Sequence, residues 1–310
     1  MSQVLTLDDA KLAEIATYYA ELEIEHQEPF ILKVFQSDRF RVTIYKTKKV
    51  LFQGPAAEEE LAMWIDILGL DMPVAPIAST APTPQTASYV LGESALGSDE
   101  VGTGDYFGPV VVVCAFVRKD QIEGLLKKGV KDSKKLTDEQ IRELAPTLKK
   151  ELTYQTVVLP NPKYNEMIDK GFNLNKIKSY LHNHAIRKTL QVLKESYDRI
   201  VVDQYTPKDK YFEYLADYEN VVRNLTFEER AESTHVSVAA ASILARDAFL
   251  TGLEELNAKL RLTLPKGASP VVDLIGKRIV LEHGEAILPD IAKVHFKNTE
   301  RILASLPKRP

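Results

Sequence analysis

The feature that most constrains this chain is the apolar run PVVVVCAFV at residues 109–117, directly after the glycine-rich stretch GSDEVGTGDYFG at 97–108. A short run of β-branched residues bounded by glycine and proline predicts a strand buried on both faces. Two adjacent carboxylates, Asp99 and Glu100, therefore stand at the entrance to the core of a domain. Burying an ionised carboxylate is costly, so these acids need a partner, a solvated turn or a bound cation.

The chain has 310 residues, which is enough for two domains. One stretch, residues 72–89, combines four prolines with Ala, Ser and Thr, a composition that favours an extended spacer over a core. We therefore predict an N-terminal domain at 1–71, a linker at 72–89 and a second domain at 90–310.

The N-terminal segment predicts a small α+β domain. Apolar residues recur at helical spacing over residues 6–22, and three strand-like runs follow, PFILKVFQ, RFRVTIYKT and KVLFQG. A second helix is predicted from AAEEELAMWIDILG. The order of elements is helix, three strands, helix.

The second segment alternates strand and helix patterns, which indicates an α/β layered sheet. Strands are predicted from ESALGSD, PVVVVCAFVR, ELTYQTVVL, RIVVDQY and NVVRNLTF, and helices at 120–128, 137–150, 174–196 and 235–260. The last of these helices is rich in small residues, which would let it lie close to the sheet.

Composition excludes several classes of protein. No window approaches 18 uninterrupted apolar residues, and the N-terminus lacks the basic and apolar regions of a signal peptide. The single cysteine, Cys114, lies inside the apolar run and is expected to be a buried hydrophobe. We expect a cytoplasmic protein, with no membrane association, no obligate protein partner and a monomeric state.

Charge is distributed unevenly along the chain. The net charge is −4, and the first 90 residues carry 7 basic against 13 acidic side chains. Residues 33–49 nevertheless hold six basic residues and one acid. A local basic surface on an acidic protein is compatible with a nucleic-acid partner.

A third acid shares the unusual position of the first pair. Asp203 ends the apolar strand pattern RIVVD, about a hundred residues after Asp99 and Glu100. If these strands are neighbours, the carboxylates converge and repel one another unless cations lie between them, and Mg²⁺ or Mn²⁺ suits an all-oxygen site. Two alternatives remain for the separate features: a strand-end Asp can cap a helix, and an Asp-Glu pair can form a solvated turn.

Four motifs together resemble one family. They are DEVGTGDYFGPVVV at 99–112, DSKKLTD at 132–138, VVDQ at 201–204 and ERAESTHVSVAAASILARD at 229–247. Their order and spacing resemble the type 2 ribonucleases H, and the details resemble the bacterial ribonuclease HIII branch. Thr103 stands between Gly102 and Gly104 where the HII branch has Arg, and Glu232 stands where that branch has Asp. The N-terminal extension also fits the HIII branch.

The resemblance implies an α/β fold, a ribonuclease H-like mixed sheet flanked by helices, with a small N-terminal α+β domain like the TATA-binding protein. It implies hydrolysis of the RNA strand of RNA–DNA hybrids, leaving 5′-phosphate and 3′-hydroxyl ends. Asp99, Glu100, Asp203 and Glu232 match the catalytic, metal-binding acids, and the cofactor is Mg²⁺ or Mn²⁺, as two ions in the catalytic state.

Further residues are assigned to the substrate. Gly102, Thr103 and Gly104 match the motif that recognises the ribose 2′-hydroxyl, and Ser133 and Lys134 suit phosphate contacts. The candidate nucleic-acid face of the N-terminal domain consists of Arg39, Arg41, Lys46, Lys48 and Lys49. Simpler alternatives are a strained turn, a helix cap and a solvated sheet face. His235 is interpreted as a capping or structural residue.

Two other functions compete with hybrid cleavage. One is incision at single ribonucleotides embedded in DNA, as in ribonuclease HII; the tyrosine that the HII branch uses for it has no match here. The other is a catalytically silent nucleic-acid-binding module with a decayed nuclease fold. The presence of all four acids argues against decay.

Overall fold

The computed structural model describes residues 2–26, 28, 30–37, 40–54, 57, 60, 61, 63, 64, 68 and 89–307. The chain divides into two compact units, residues 1–84 and 85–310. Each unit has its own sheet and its own hydrophobic core. The predicted linker lies outside the described residues apart from Tyr89.

The N-terminal unit contains an antiparallel sheet and, among its described residues, the helix α1 and part of a second helix. Its elements are β1 (Ser2–Thr6), α1 (Asp9–Tyr18), β2 (Glu23–Ile24), β3 (Ile31–Gln36), β4 (Arg41–Tyr45) and β5 (Lys49–Gln53). The strand order is β1-β5-β4-β3-β2, and every pair is antiparallel. Leu12, Ile15 and Tyr19 pack on Phe35 and Phe52 in the core of this unit.

Two expectations for this unit need correction. The helix predicted at 6–22 is shorter, because Asp8 caps its start and residues 20–22 form a 3-10 turn after its end. Residues 2–6 form the unexpected strand β1, which pairs with β5 along its whole length. The sheet also gains the two-residue strand β2 at its other edge. Of the second predicted helix, the described residues Ala57, Glu60, Leu61, Met63 and Trp64 are helical, and the others lie outside the described residues.

The C-terminal unit contains five strands and nine helices among its described residues. The strands are β6 (Ala95–Val101), β7 (Val110–Val117), β8 (Thr153–Leu159), β9 (Arg199–Asp203) and β10 (Thr226–Glu228). The helices are α2 (Ile122–Lys127), α3 (Asp138–Glu151), α4 (Asn161–Asp169), α5 (Leu174–Val192), α6 (Lys208–Tyr214), α7 (Val236–Leu260), α8 (Pro270–His283), α9 (Leu288–Ile291) and α10 (Lys297–Ala304). Of the strand predicted from NVVRNLTF, only the last two residues are in a strand, where β10 begins. Helix α5 ends at Val192, earlier than the predicted end at residue 196.

The second sheet is mixed, with the order β10-β9-β6-β7-β8. β6 pairs antiparallel with β7 and parallel with β9. All eight residues of β7 are buried, as the apolar run predicts. Alternate β7 residues face two cores: Val111 and Val113 pack with α7, and Val112 and Cys114 pack with α5. This confirms the predicted α/β fold with helices on both faces of a mixed sheet.

Helix α7 lies unusually close to the sheet. A Cβ atom at Gly97 of β6 would lie 2.2 Å from the backbone nitrogen of Val238, so only glycine fits at this contact. The helix is long and apolar enough to span a membrane by composition, but 78% of its most apolar window is buried inside the unit, so it is a core helix. The thiol of Cys114 is also buried, and burial raises its pKa to about 12.

Candidate active site

The carboxylates begin to converge at the ends of two parallel strands. Asp99 and Glu100 lie near the end of β6, and Asp203 is the last residue of β9. Ser98 pairs with Val202 in this parallel ladder, so Asp99 and Asp203 occupy the next register position on neighbouring strands. Neighbouring strands lie about 4.8 Å apart, which brings these two acids side by side.

A tight turn beside Asp203 positions the fourth acid, Glu232. The backbone N–H of Ala231 donates to Oδ1 of Asp203 at 2.9 Å, and Glu232 is the next residue. Arg230, just before this turn, adopts the left-handed conformation with φ 55°. The turn places the side chain of Glu232, which is 2% exposed, against the strand ends.

Burial and neighbouring negative charges shift the pKa values of two of the acids. Burial raises the pKa of Asp99 well above its usual value, and the negative charges of Glu100 and Asp203 add to this shift. Burial and the charge of Glu232 raise the pKa of Asp203 to about 6, although the Ala231 N–H opposes the shift. Like charges held this close favour a bound cation.

Glu100 differs from Asp99 and Asp203 in the direction of its pKa shift, because side chains of helix α5 contact its carboxylate. Burial acts to raise its pKa, but His182 and Lys178 lower it to about 2. Nε2 of His182 donates to Oε2 of Glu100 at 2.8 Å, and Nζ of Lys178 forms an ion pair with Oε1. His182 also lies 2.7 Å from Oγ of Ser98, which fixes its ring.

Ser133 and Lys134 reach the same cluster from a turn before α3. Nζ of Lys134 lies 3.2 Å from Oε1 of Glu232, with its side chain 76% exposed. Ser133 is buried, and its hydroxyl lies 2.6 Å from that of Ser242, a residue that acts to lower the pKa of Asp99. The expected contact of Ser133 with a substrate phosphate remains a prediction.

The four acids supply the oxygen ligands that a divalent metal ion prefers. Their side chains are not in a metal-binding arrangement in this structure. Within the part of the chain that the structure describes, no three His, Cys, Asp or Glu side chains are placed so that they could hold an ion as they stand. Lys178, His182 and Lys134 hold three of the carboxylate oxygens instead. Among the described residues, no donor reaches the buried Oε2 of Glu232, which is an unused hard oxygen ligand.

The glycine motif forms the loop between β6 and β7. Gly102 has φ +95°, and a Cβ there would lie 2.2 Å from the carbonyl oxygen of Pro109, so only glycine fits. Gly104 has no neighbour within 4 Å of the position of a Cβ and is exposed. Thr103 lies between them and is half-buried. The loop thus has one fixed end and one open surface.

The four candidate basic residues that the structure describes in the N-terminal unit lie at the two ends of β4. Arg41 begins β4 and is half-buried, whereas Lys46, Lys48 and Lys49 lie at the other end of that strand, in the turn to β5 and at its start. Nζ of Lys48 lies 2.6 Å from Oδ2 of Asp9. Arg39 lies outside the described residues.

Sequence reasoning missed the two side chains that hold Glu100. Lys178 and His182 are four residues apart on α5, at positions that would otherwise belong to its apolar face. This polar pair on a buried helical face was the available signal. His235 is buried, and its Nε2 lies 2.9 Å from Oε2 of Glu228, with no side-chain capping bond. This side-chain contact replaces the expected cap, and the structural role of His235 remains a prediction.

Comparison with known proteins agrees with this geometry. The ribonuclease HII family model matches residues 96–299, and a domain of unknown function (DUF3378) matches residues 2–68. The mixed sheet with its converging carboxylates, within that match, defines a nuclease of the ribonuclease H class. Ribonuclease HIII of Geobacillus sp. (strain WCH70) is 44% identical over 302 residues, covering 97% of each chain. The chain belongs to the ribonuclease HIII family, which confirms the resemblance seen in its motifs.

Two further relatives support this assignment. Ribonuclease HIII of Bacillus mycoides (strain KBAB4) is 44% identical over 271 residues, 86% of each chain. The crystal structure of Bst-RNase HIII in complex with Mn²⁺ is 38% identical, covers 100% of each chain and superposes with a TM-score of 0.69. The alternative of ribonuclease HII-like incision is not favoured, because these whole-chain matches are all to the HIII type.

Proposed function

We propose that this chain cleaves the RNA strand of RNA–DNA hybrids at the site formed by Asp99, Glu100, Asp203 and Glu232, with Mg²⁺ or Mn²⁺ as cofactor. The observation that carries the proposal is the convergence of these four acids: burial, and then the charges of neighbouring acids, raise the pKa values of Asp99 and Asp203. The complex of Bst-RNase HIII with Mn²⁺ supports the choice of a divalent ion.

Each acid has a distinct part in holding ions. Asp99 and Asp203 face each other from neighbouring strands, and Glu232 offers an oxygen that has no donor among the described residues. Glu100, which Lys178 and His182 hold in this structure, would complete the set of oxygen ligands. Two bound ions would activate water and stabilise the leaving oxygen of a phosphodiester. Lys134, at the exposed rim, is placed to contact a substrate phosphate.

Substrate recognition is assigned to two surfaces. The open part of the glycine loop, Thr103 and Gly104, offers backbone groups to a ribose 2′-hydroxyl, which distinguishes RNA from DNA. The N-terminal unit is assigned to duplex binding, with Arg39, Arg41, Lys46, Lys48 and Lys49 as the candidate basic residues. We also propose a monomer that acts in the cytoplasm, consistent with one buried cysteine.

One experiment tests the function directly. A labelled RNA–DNA hybrid and a DNA duplex with one ribonucleotide are incubated with the protein in Mg²⁺, Mn²⁺ or EDTA. We expect cleavage of the hybrid with 3′-hydroxyl products in either metal, none in EDTA, and none by Asp99→Asn. Preferred incision of the single-ribonucleotide duplex would favour an HII-like function. Metal-independent binding without cleavage would indicate a silent module.

A further inference from the structure

One buried lysine lies beneath the glycine loop. Lys293 follows α9 and is 0% exposed. Its ammonium group donates to the carbonyl oxygen of Asp105 at 2.7 Å and to that of Gly108 at 2.6 Å. Both acceptors belong to residues 102–109, the loop that joins β6 to β7. A side chain from the C-terminal part of the unit thus binds the loop from its inner side.

The backbone around Lys293 contacts the same loop. The N–H of Lys293 donates to the carbonyl of Tyr106 at 2.8 Å, and the N–H of Gly108 donates to the carbonyl of Ile291 at 3.1 Å. Phe107 and Ala292 form an antiparallel bridge. Residues 105–108 are therefore paired with residues 291–293 along their length.

A lysine at this position is costly, which indicates that its donors are needed. Burial lowers its pKa to about 7, and the charge of Asp105 opposes this shift. Among the described residues, the hydrogen-bond acceptors of the Lys293 ammonium group are the two loop carbonyls, and the ring centroid of Tyr164 lies 5.8 Å from it. Either protonation state of an amine has at least two N–H groups for them. An apolar side chain of the same length would leave both carbonyls without a donor.

The loop is consequently fixed at both ends. Gly102 is held against Pro109 and the ring of Phe249, and residues 105–108 are held by Lys293 and its neighbours. Only Thr103 and Gly104 remain between the two fixed ends, and Gly104 faces open space.

We propose that Lys293 is a positioning residue for ribose recognition: by holding the carbonyls of Asp105 and Gly108, it sets the place of Thr103 and Gly104 against the substrate. The inference rests on the proposed role of the glycine loop. Lys293 does not touch substrate or metal, so its effect is on discrimination between ribose and deoxyribose.

The test compares discrimination in the wild type and in Lys293→Met. A series of hybrids carries a single deoxynucleotide at successive positions around the cleavage point, and kcat and KM are measured for each. In the wild type, one position lowers kcat/KM sharply. In Lys293→Met we expect the penalty at that position to shrink about tenfold, because a misplaced loop loses contacts that depend on sub-ångström geometry. Cleavage of the all-ribose hybrid falls correspondingly, and Mn²⁺ affinity is unchanged.

A matched control comes from the same segment. Asn165 binds residues 289–294 without touching the loop: its Nδ2 donates to the carbonyls of Pro289 at 3.0 Å and Ala292 at 2.9 Å, and its Oδ1 accepts from the N–H of Val294 at 3.1 Å. Asn165→Leu removes a comparable number of buried hydrogen bonds. We expect it to lower the melting temperature yet to keep the full deoxynucleotide penalty.

The outcomes separate the inference from the function. If Lys293→Met lowers stability as Asn165→Leu does while the penalty stays at the wild-type value, Lys293 is structural only and the inference fails. If the wild type shows no penalty at any position, the proposed role of the loop fails instead. Should Lys293→Met not fold, Lys293→Gln retains an amide donor and is expected to give an intermediate penalty; an unchanged penalty there overturns the inference.

Discussion

Asp203 shows how a single carboxylate connects stability with catalysis. Its pKa is about 6 in the folded chain, raised from an ordinary value of 3.8 by burial and by Glu232. The carboxylate of Asp203 therefore binds a proton more tightly in the folded state than in the unfolded state. Between pH 3.8 and about pH 6 the free energy of unfolding falls as pH rises. Above about pH 6 the metal-free protein is therefore destabilised by the full cost of keeping Asp203 ionised in the folded state.

Replacing Asp203 by Asn removes that penalty. In EDTA at pH 7.5 we expect Asp203→Asn to raise the free energy of unfolding by about 1 kcal/mol, less than the whole pKa shift because solvent screens this partly exposed group, with the advantage disappearing as pH falls to 4. The amide oxygen can still accept from the Ala231 N–H. Thermal unfolding of both proteins from pH 4 to pH 8 measures the difference.

The control for this variant is Asp169→Asn, at the exposed end of α4. It should leave the pH profile of the wild type unchanged. Cleavage of hybrid by Asp203→Asn should fall by several orders of magnitude in Mn²⁺. A variant that is no more stable than the wild type at pH 7.5 would show that Asp203 is not under electrostatic strain.

The two glycines of the loop make a second residue-scale pair. Gly102→Ala forces a Cβ into the Pro109 carbonyl at φ +95°, and strain of this kind costs about 1–3 kcal/mol. Gly104→Ala meets nothing within 4 Å in the protein. We expect only the first variant to lower the melting temperature, and the second to lower kcat/KM for hybrid while the fold stays intact. Normal cleavage by a stable Gly104→Ala would argue against substrate contact at this position.

At the scale of elements, strongly patterned segments were predictable and short edges were not. The β7 run and α7 follow from continuous apolar or small residues, and both occur where expected. Strand β1 was missed because VLTL reads equally well as the start of the amphipathic helix that follows. Its strand conformation depends on pairing with β5, about fifty residues away, which local patterns do not encode.

The residues of the candidate site also divide into those that the sequence predicts and those that it does not. The motifs mark the four acids as candidates, and strand patterns place Asp99, Glu100 and Asp203 near strand ends, whereas Glu232 lies in the turn after β10. Lys178 and His182 could not be predicted, since a helix reveals which of its faces meets Glu100 only once α5 is packed against the sheet. The position of Lys293 beneath the glycine loop likewise depends on tertiary pairing of segments nearly two hundred residues apart.

The contact between α5 and β6 predicts how the site exchanges cations. Lys178 forms an ion pair with Glu100 and lies 3.8 Å from the ring centroid of Tyr205, within a buried environment. Its charge neutralises the acids and also repels an incoming ion. We expect Lys178→Met to lower the melting temperature in EDTA. We also expect it to tighten Mn²⁺ binding about tenfold, which corresponds to the free energy of a shift of one pKa unit. Calorimetric titration measures the affinity.

The control for this variant lies on the same helix. Lys176 is placed over the ring of Phe172 at 4.5 Å and forms no ion pair with the acids. Lys176→Met should bind Mn²⁺ as the wild type does. Equal affinity in Lys178→Met and the wild type would show that Lys178 does not compete with the ion.

At the scale of the whole molecule, chemistry and duplex binding are assigned to different units. All four acids and the glycine loop lie in residues 85–310, which have their own core. The N-terminal unit carries more acidic than basic residues overall, yet exposes Lys46, Lys48 and Lys49 together at one turn. Contacts between such lysines and phosphates are independent of sequence and sensitive to salt.

Deleting residues 1–85 should therefore raise KM for hybrid far more than it lowers kcat, because the catalytic groups stay in place while duplex affinity is lost. The wild type should lose affinity steeply as salt rises, and the truncated protein should do so less, since each phosphate contact adds to the slope. Steady-state kinetics at two salt concentrations measure both effects, with thermal unfolding as the control for an intact second unit. If the truncated protein binds hybrid as tightly as the full chain, with the same salt dependence, duplex binding belongs to the catalytic unit, and the basic turn of the N-terminal unit is an ordinary solvated surface.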